Sequence, residues 1–214
     1  MTPYYQHGGI TIYLGDCQTI LPILDVVDLV VTDPPYGISY HSNHYVGDNP
    51  FEPIEGDDAF PNVVVQWCIK RAQSGTLVFL PIEALSILPS AKSHIVWVKN
   101  NWTAGDLEHG YAHMWELAAF WPGATHEFAM GRPVDVIESP RVAPTSLIHP
   151  TEKPVELIKK LLLHHKCEQV IDPYMGSGST LRAAKDLGIP AIGIEINELY
   201  CRRTVHRLAQ EVLL

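Results

Sequence analysis

The first 69 residues contain no lysine and no arginine but nine acids, and this absence accounts for the net charge of −9 in a chain of 214 residues. From Lys70 onward the two signs balance at fifteen each. Duplex binding needs local cationic contacts more than overall positive charge, so the deficit moves any such surface to the later two thirds without excluding it. No apolar run reaches membrane-spanning length, and residues 1–9 lack the basic start and apolar core of a secretion signal, so a cytoplasmic protein and no membrane partner are expected. Cysteine is scarce: Cys17, Cys68, Cys167 and Cys201 lie far apart without a C-x-x-C pair, which indicates neither a zinc ribbon nor a disulfide framework. The histidines at 41 and 44, 109 and 113, and 164 and 165 have no cysteine or carboxylate at ligand spacing. They read as loop and surface residues, and no metal is expected.

What is present alternates β-rich runs with helical stretches, the pattern of a mainly parallel sheet covered on both faces. Strands are predicted at Ile10–Leu14, Asp28–Thr32, Thr76–Leu80, His94–Val98, Glu116–Trp121, Gln169–Ile171 and Ala191–Ile194. Helices are predicted at Pro61–Gln73, Ile82–Leu88, Pro154–His164, Thr180–Leu187 and Glu198–Leu213, with both prolines in first-turn positions and Gly188 as a stop. A length of 214 residues at 46% hydrophobic composition suits one α/β domain over 1–214. Two polar, turn-rich loops, 37–60 and 122–151, are longer than connection requires, and loops of that kind usually carry function.

Asp33-Pro34-Pro35-Tyr36 ends the apolar run 26–32. Neither proline can donate to a sheet ladder, so the segment terminates the strand and leaves the Pro34 carbonyl free to accept. The Asp33 carboxylate, that carbonyl and the Tyr36 ring, with Pro35 beside them, can hold a planar amino-bearing base. A second motif, Val170-Ile171-Asp172-Pro173-Tyr174-Met175-Gly176-Ser177-Gly178-Ser179-Thr180, runs from a strand through a glycine turn into a helix. Such turns admit a ligand close to the backbone. No lysine follows the second glycine and Leu181 replaces a third, so the ligand is not a polyphosphate. Glu195, at the end of the next strand, is placed to chelate a ribose diol. Asp16, Asp33, Asp172 and Glu195 each follow a predicted strand, where open parallel sheets bind ligands.

Together these motifs resemble the amino-methylating DNA methyltransferases that use S-adenosylmethionine (SAM), in the circular order that puts the catalytic motif before the cofactor motif. Gly15-Asp16-Cys17, His149-Pro150-Thr151-Glu152-Lys153-Pro154 and Gly193-Ile194-Glu195-Ile196-Asn197 also resemble that family's motifs, in its order. The resemblance implies a circularly permuted Rossmann-like fold, with a seven-stranded, mainly parallel sheet whose chain begins at its third strand. It implies that Asp16 and the Cys17 backbone bind the adenine of the cofactor, and Glu195, with Asn197 beside it, the ribose. Asp172, Tyr174, Gly176, Ser177, Gly178, Ser179 and Thr180 would hold the methionine portion, and Thr151, Lys153 and the following helix its carboxylate.

The amine's lone pair is delocalised into its base, so it needs acceptors before it can attack. Asp33 and the Pro34 carbonyl would accept its hydrogens, and Tyr36 would stack on a base flipped from the duplex. An Asp before Pro-Pro-Tyr points, by resemblance, to N6-adenine. The alternatives are N4-cytosine, an RNA adenine, or a silent SAM- or DNA-binding module. Arg132, Arg141 and Trp102 are the expected DNA contacts, whereas Lys159, Lys160, Lys166, Arg202, Arg203 and Arg207 read as solvated helix faces. Trp97 and Trp121 read as core. A target-recognition insertion is short here, limited to segments 99–115 and 122–148. Either a short site is read, or a homodimer or the 37–60 loop supplies the missing contacts.

Overall fold

The computed structural model describes residues 1–38, 45–46, 49–50, 57–101, 109–143 and 151–210. The histidines at 41 and 44, Trp102 and the end of the last predicted helix lie outside these residues. One sheet dominates, and its strands in chain order are β1 (Tyr5–His7), β2 (Ile10–Leu14), β3 (Leu29–Thr32), β6 (Gly75–Phe79), β7 (Ser93–Val98), β8 (Trp115–Pro122), β9 (Val136–Glu138), β10 (Val170–Asp172) and β11 (Ala191–Glu195). A separate ribbon pairs β4 (Tyr45–Val46) with β5 (Asn49–Pro50). The main sheet runs β1-β2-β11-β10-β3-β6-β8-β7-β9. Strands β2, β11, β10, β3 and β6 are mutually parallel, and β8 runs antiparallel between β6 and β7. Counted from β10, which feeds the glycine turn, β2 is third across the sheet, so beyond the added edge strand β1 the chain enters at the third strand.

The sheet has nine strands rather than the expected seven. The two additions are three-residue edge strands: β1 folds back antiparallel on β2, and β9 pairs parallel with β7. Edge strands this short and mostly exposed carry no buried period for the sequence to display.

Central strands bury alternate residues against different layers. Leu29, Val31, Leu77, Phe79 and Val170 join a core with α3 (Val155–Leu163), α4 (Ser179–Asp186) and α5 (Glu198–Ala209), while Val30 and Ile171 pack with α1 (Cys17–Ile20) and α2 (Asn62–Arg71). That two-sided burial explains the uninterrupted apolar runs. Trp97 and Trp121 are buried and donate their indole N–H groups to Ser139 O and Pro89 O, at 2.7 and 2.9 Å. The predicted helix at 82–88 is a short 3-10 turn, Ile82–Ser86, and α1 went unpredicted because four residues carry too little periodicity. His165 corrects the surface reading of the histidines: it is buried beside Phe120, Phe128 and His126. Among the described residues, no helix is long and apolar enough to cross a membrane.

Candidate active site

Four adjacent parallel strands end on acids. Asp16 follows β2, Glu195 closes β11, Asp172 closes β10 and Asp33 follows β3, so sheet order alone sets the four along one edge. Asp16 caps α1, its Oδ1 accepting the Gln18 N–H at 2.8 Å. Buried Cys17 and half-buried Tyr174 are hydrogen-bonded side chain to side chain, joining the end of β2 to the glycine turn. Glu195 accepts the Gly176 N–H on Oε2 and the Asn197 N–H on Oε1, both at 2.9 Å. Asn197 in turn caps α5 by accepting the Leu199 N–H at 2.9 Å. Buried Asp172 receives the Thr32 hydroxyl at 2.7 Å and the Tyr174 N–H at 3.1 Å. Burial pushes its pKa up to about 6, against the lowering effect of the Thr180 and Thr32 hydrogen bonds.

The turn between β10 and α4 needs its glycines. Gly176 and Gly178 have φ of 48° and 74°, and a Cβ on Gly178 would lie 2.3 Å from Thr204 Cγ2. Thr204 of α5 donates to Gly176 O at 3.1 Å, so helix and turn are fitted to each other. A cavity opens over this turn, lined by Thr32, Asp33, Phe79, Thr151, Glu152, Lys153, Ile158, Asp172, Tyr174, Met175, Gly176, Ser177, Ser179 and Thr180.

Asp33 sits at the cavity wall, one oxygen receiving the Tyr36 hydroxyl at 3.0 Å and the other in direct contact with the Lys153 ammonium. Lys153 also reaches Glu116 Oε2 at 3.1 Å, and Glu116 Oε1 lies 2.5 Å from Lys99 Nζ. The four charges alternate in sign, and both ammonium groups are almost fully buried. Beneath Lys153 lie the rings of Phe79 and Tyr36, at 5.1 and 5.8 Å. Burial lowers the Lys153 pKa, but Asp33 and Glu116 outweigh it and hold the ammonium above its ordinary value. The two carboxylates that share Lys153 divide. Burial raises Glu116, yet Lys153 and Lys99 bring it below the usual range; burial raises Asp33 as well, and there Lys153 offsets only part while Glu116 adds to the rise. Burial, then the Asp33 and Glu116 charges, keeps Tyr36 well above its ordinary value, so it is a neutral donor.

The structure therefore brings Asp33, Pro34, Pro35, Tyr36, Asp172, the glycine turn, Thr151 and Lys153 to one cavity edge, with Asp16, Cys17, Glu195 and Asn197 alongside. It gives Lys153 Nζ to Asp33 and Glu116. Arg207 corrects the solvated-face reading of the last helix: its guanidinium meets Ser177 O at 3.1 Å, Ser177 Oγ at 3.3 Å, Ser179 Oγ at 3.4 Å and buried Glu152 at 2.6 Å. Glu152, Lys99, Glu116 and Thr32 were also missed. An acid at the start of a strand and a lysine after one gave a weak signal, because strand order was needed to bring them together. Arg141 follows β9 on the edge where β3 and β6 end, its N–H on Asn100 Oδ1 at 3.2 Å, whereas exposed Arg132 approaches β9 from the opposite edge.

The cavity's chemistry suits SAM. Asp33 and Asp172 complement a sulfonium and an ammonium, the hydroxyls of Ser177, Ser179 and Thr180 are short polar partners, and Glu195 keeps acceptor capacity beyond its two amide bonds. Comparison with known proteins points the same way. The chain is 29% identical to YubD of Escherichia coli (strain K12), named as a methylase, over 91% of this chain and 88% of that one. It is 40% identical over 62 residues to the DNA adenine methyltransferase YhdJ of Escherichia coli (strain K12), a match spanning 28% of this chain and 21% of that protein. In fold it superposes on the crystal structure of the M1.HpyAVI–SAM complex with a TM-score of 0.69, covering 93% of this chain and 100% of that one at 23% identity. A family model described as DNA methylase, the N6/N4 methyltransferases, matches residues 92–206, more than half the chain. The chain therefore belongs to the N6/N4 DNA methylases, a family that uses S-adenosylmethionine.

Proposed function

We propose that the chain methylates the exocyclic N6 of adenine in DNA, with Asp33 as the group that accepts the amine's hydrogen. The observation that carries this reading is the placement of Asp33. It is a carboxylate at a strand end, in the wall of the cavity that suits the cofactor, with Tyr36 donating to it and two prolines fixing its backbone. Bound SAM supplies a methyl group activated by a sulfonium. Asp33 accepts one amino hydrogen and the Pro34 carbonyl the other, which draws the nitrogen lone pair out of conjugation. Asp33 then takes the surplus proton and passes it to solvent. The Tyr36 ring offers a stacking face for a base taken out of the duplex, an extrusion that costs a few kcal/mol.

On the cofactor side, Glu195 and Asn197 take the ribose and Asp16 with the Cys17 backbone the adenine. Thr151 and the N-terminus of α3 receive the carboxylate, while the Lys153 ammonium stays with its acids Asp33 and Glu116. Arg141, on the catalytic edge, is the phosphate contact this reading favours, and Arg132, at the opposite edge, is set aside. Adenine is favoured by the Asp before Pro-Pro-Tyr and supported by the local match to the adenine enzyme YhdJ; the fold alone does not choose the base. Incubation of unmethylated DNA with the protein and SAM, followed by mass spectrometry of nucleosides, should yield N6-methyladenine, and Asp33→Ala should yield none. N4-methylcytosine as the main product would overturn the choice of base, and an active Asp33→Ala variant the catalytic assignment.

A further inference from the structure

Asp33 enters the reaction with both oxygens already engaged, by Tyr36 and by Lys153. A carboxylate gripped by a buried ammonium is a poor acceptor, so an amine hydrogen is accepted well only if that grip loosens. Pulling Lys153 away would ordinarily strand an unpaired buried charge, a large penalty. Glu116 removes that penalty: it stands 3.1 Å from the same ammonium, on the far side from β3, and is itself held by Lys99 at 2.5 Å. The sheet builds this arrangement by running β8 antiparallel between β6 and β7, which returns Glu116 and Lys99 to the edge where β3 ends.

We propose that Glu116 is a positioning residue for methyl transfer, taking over the Lys153 ammonium so that Asp33 can turn to the target amine, with Lys99 anchoring Glu116 in place. This rests on Asp33 as the amine's acceptor. The charged and titratable groups facing Asp33 are Lys153 from the segment before α3, Glu116 from β8, Tyr36 from its own turn and Asp172 from β10. Glu116 contributes negative charge that keeps Asp33 basic. Removing that charge lowers the Asp33 pKa and, of the two carboxylates that Lys153 contacts among the described residues, leaves it Asp33.

The test measures single-turnover methyl transfer against pH, with SAM affinity by calorimetry, for the parent, Glu116→Gln, Glu116→Asp and Asp33→Asn. Glu116→Gln should slow transfer by about 10- to 100-fold, the scale expected of a misplaced reacting group. Its SAM affinity should stay within about threefold of the parent's, and the acidic limb of its pH profile should move to lower pH. Glu116→Asp, which keeps the charge, should recover part of the rate and return the limb toward the parent's. A parent-like rate and profile in Glu116→Gln would overturn the proposal. So would a loss of rate that tracks a loss of SAM affinity with the acidic limb unmoved, because that is the signature of a merely structural ion pair. An active Asp33→Asn variant would instead remove the reading of Asp33, and this inference with it.

Discussion

Glu195 has two tasks to reconcile, since the carboxylate proposed to grip ribose hydroxyls already receives the amides of Gly176 and Asn197. An ionised carboxylate has about four lone-pair sites, so two amide bonds leave room for two hydroxyls. The dual role changes what mutation should do. Glu195→Ala deprives two amides of their acceptor, at about 1–3 kcal/mol for each one left buried and unsatisfied, so it should lower both the unfolding temperature and SAM affinity. Glu195→Gln keeps an acceptor oxygen and most of the shape, so its loss should fall more on affinity than on stability. Losing a charge-assisted bond of about 1.5–3 kcal/mol corresponds to roughly 10- to 150-fold weaker binding. Calorimetry and thermal unfolding of both variants check this. Parent-like SAM affinity in Glu195→Gln would leave the residue with a capping role alone.

Among the elements, α5 does more than cover the sheet. Arg207 ties the glycine turn through Ser177 and Ser179 and ties Glu152 of the segment before α3, so one side chain joins two walls of the cavity. Side-chain exposures of 13% for Arg207 and 1% for Glu152 make the pair a buried one, and removing one partner of such a pair costs about 3–5 kcal/mol. Arg207→Met should lose stability on that scale and weaken SAM binding, while adding Glu152→Gln should restore part of the stability. A denaturant double-mutant cycle would show this as a coupling energy well above zero. Strict additivity would mean that the pair contributes nothing. This contact was illegible in the sequence because helical periodicity places Arg207 on a polar face without saying what that face meets. By contrast, Asp33-Pro34-Pro35-Tyr36 and the turn at Gly176–Thr180 were legible, since a missing N–H and a left-handed φ are local requirements. The central strands were legible for a similar reason, their two-sided burial giving unbroken apolar runs. Lys99–Glu116–Lys153–Asp33 was not, because its members meet only after β8 has returned antiparallel.

For the whole molecule, acid stability is set by buried groups shifted in opposite senses. His165 packs against Phe120, 4.8 Å between ring centroids, with its Nδ1 3.2 Å from His126 Nε2. Burial, with lesser contributions from His126 and His164, pushes its pKa down to about 4. An unfolded histidine titrates near ~6.5, so as pH falls from there to about 4 the unfolded chain takes up a proton that the folded chain refuses, and stability drops by up to about 3 kcal/mol. Asp172 works the other way. Its pKa is raised to about 6 against an unfolded value near ~3.9, so its contribution is present below the unfolded value and is lost as pH rises through about 6. Between about pH 4 and 6 the two partly cancel, and the parent's stability should vary less than either group alone would dictate. His165→Asn keeps a polar group beside His126 while removing the imidazole, leaving the pH dependence of Asp172 uncompensated. The variant should be less stable than the parent near neutral pH, and the gap should narrow by up to about 3 kcal/mol on acidification to pH ~4.5. Chemical denaturation of both proteins across that range measures the gap directly, and the terms they share cancel in the difference. A gap constant with pH would show that His165 is not held neutral by burial, and the acidic limb used to read Asp33 could then be followed to lower pH without a competing loss of fold.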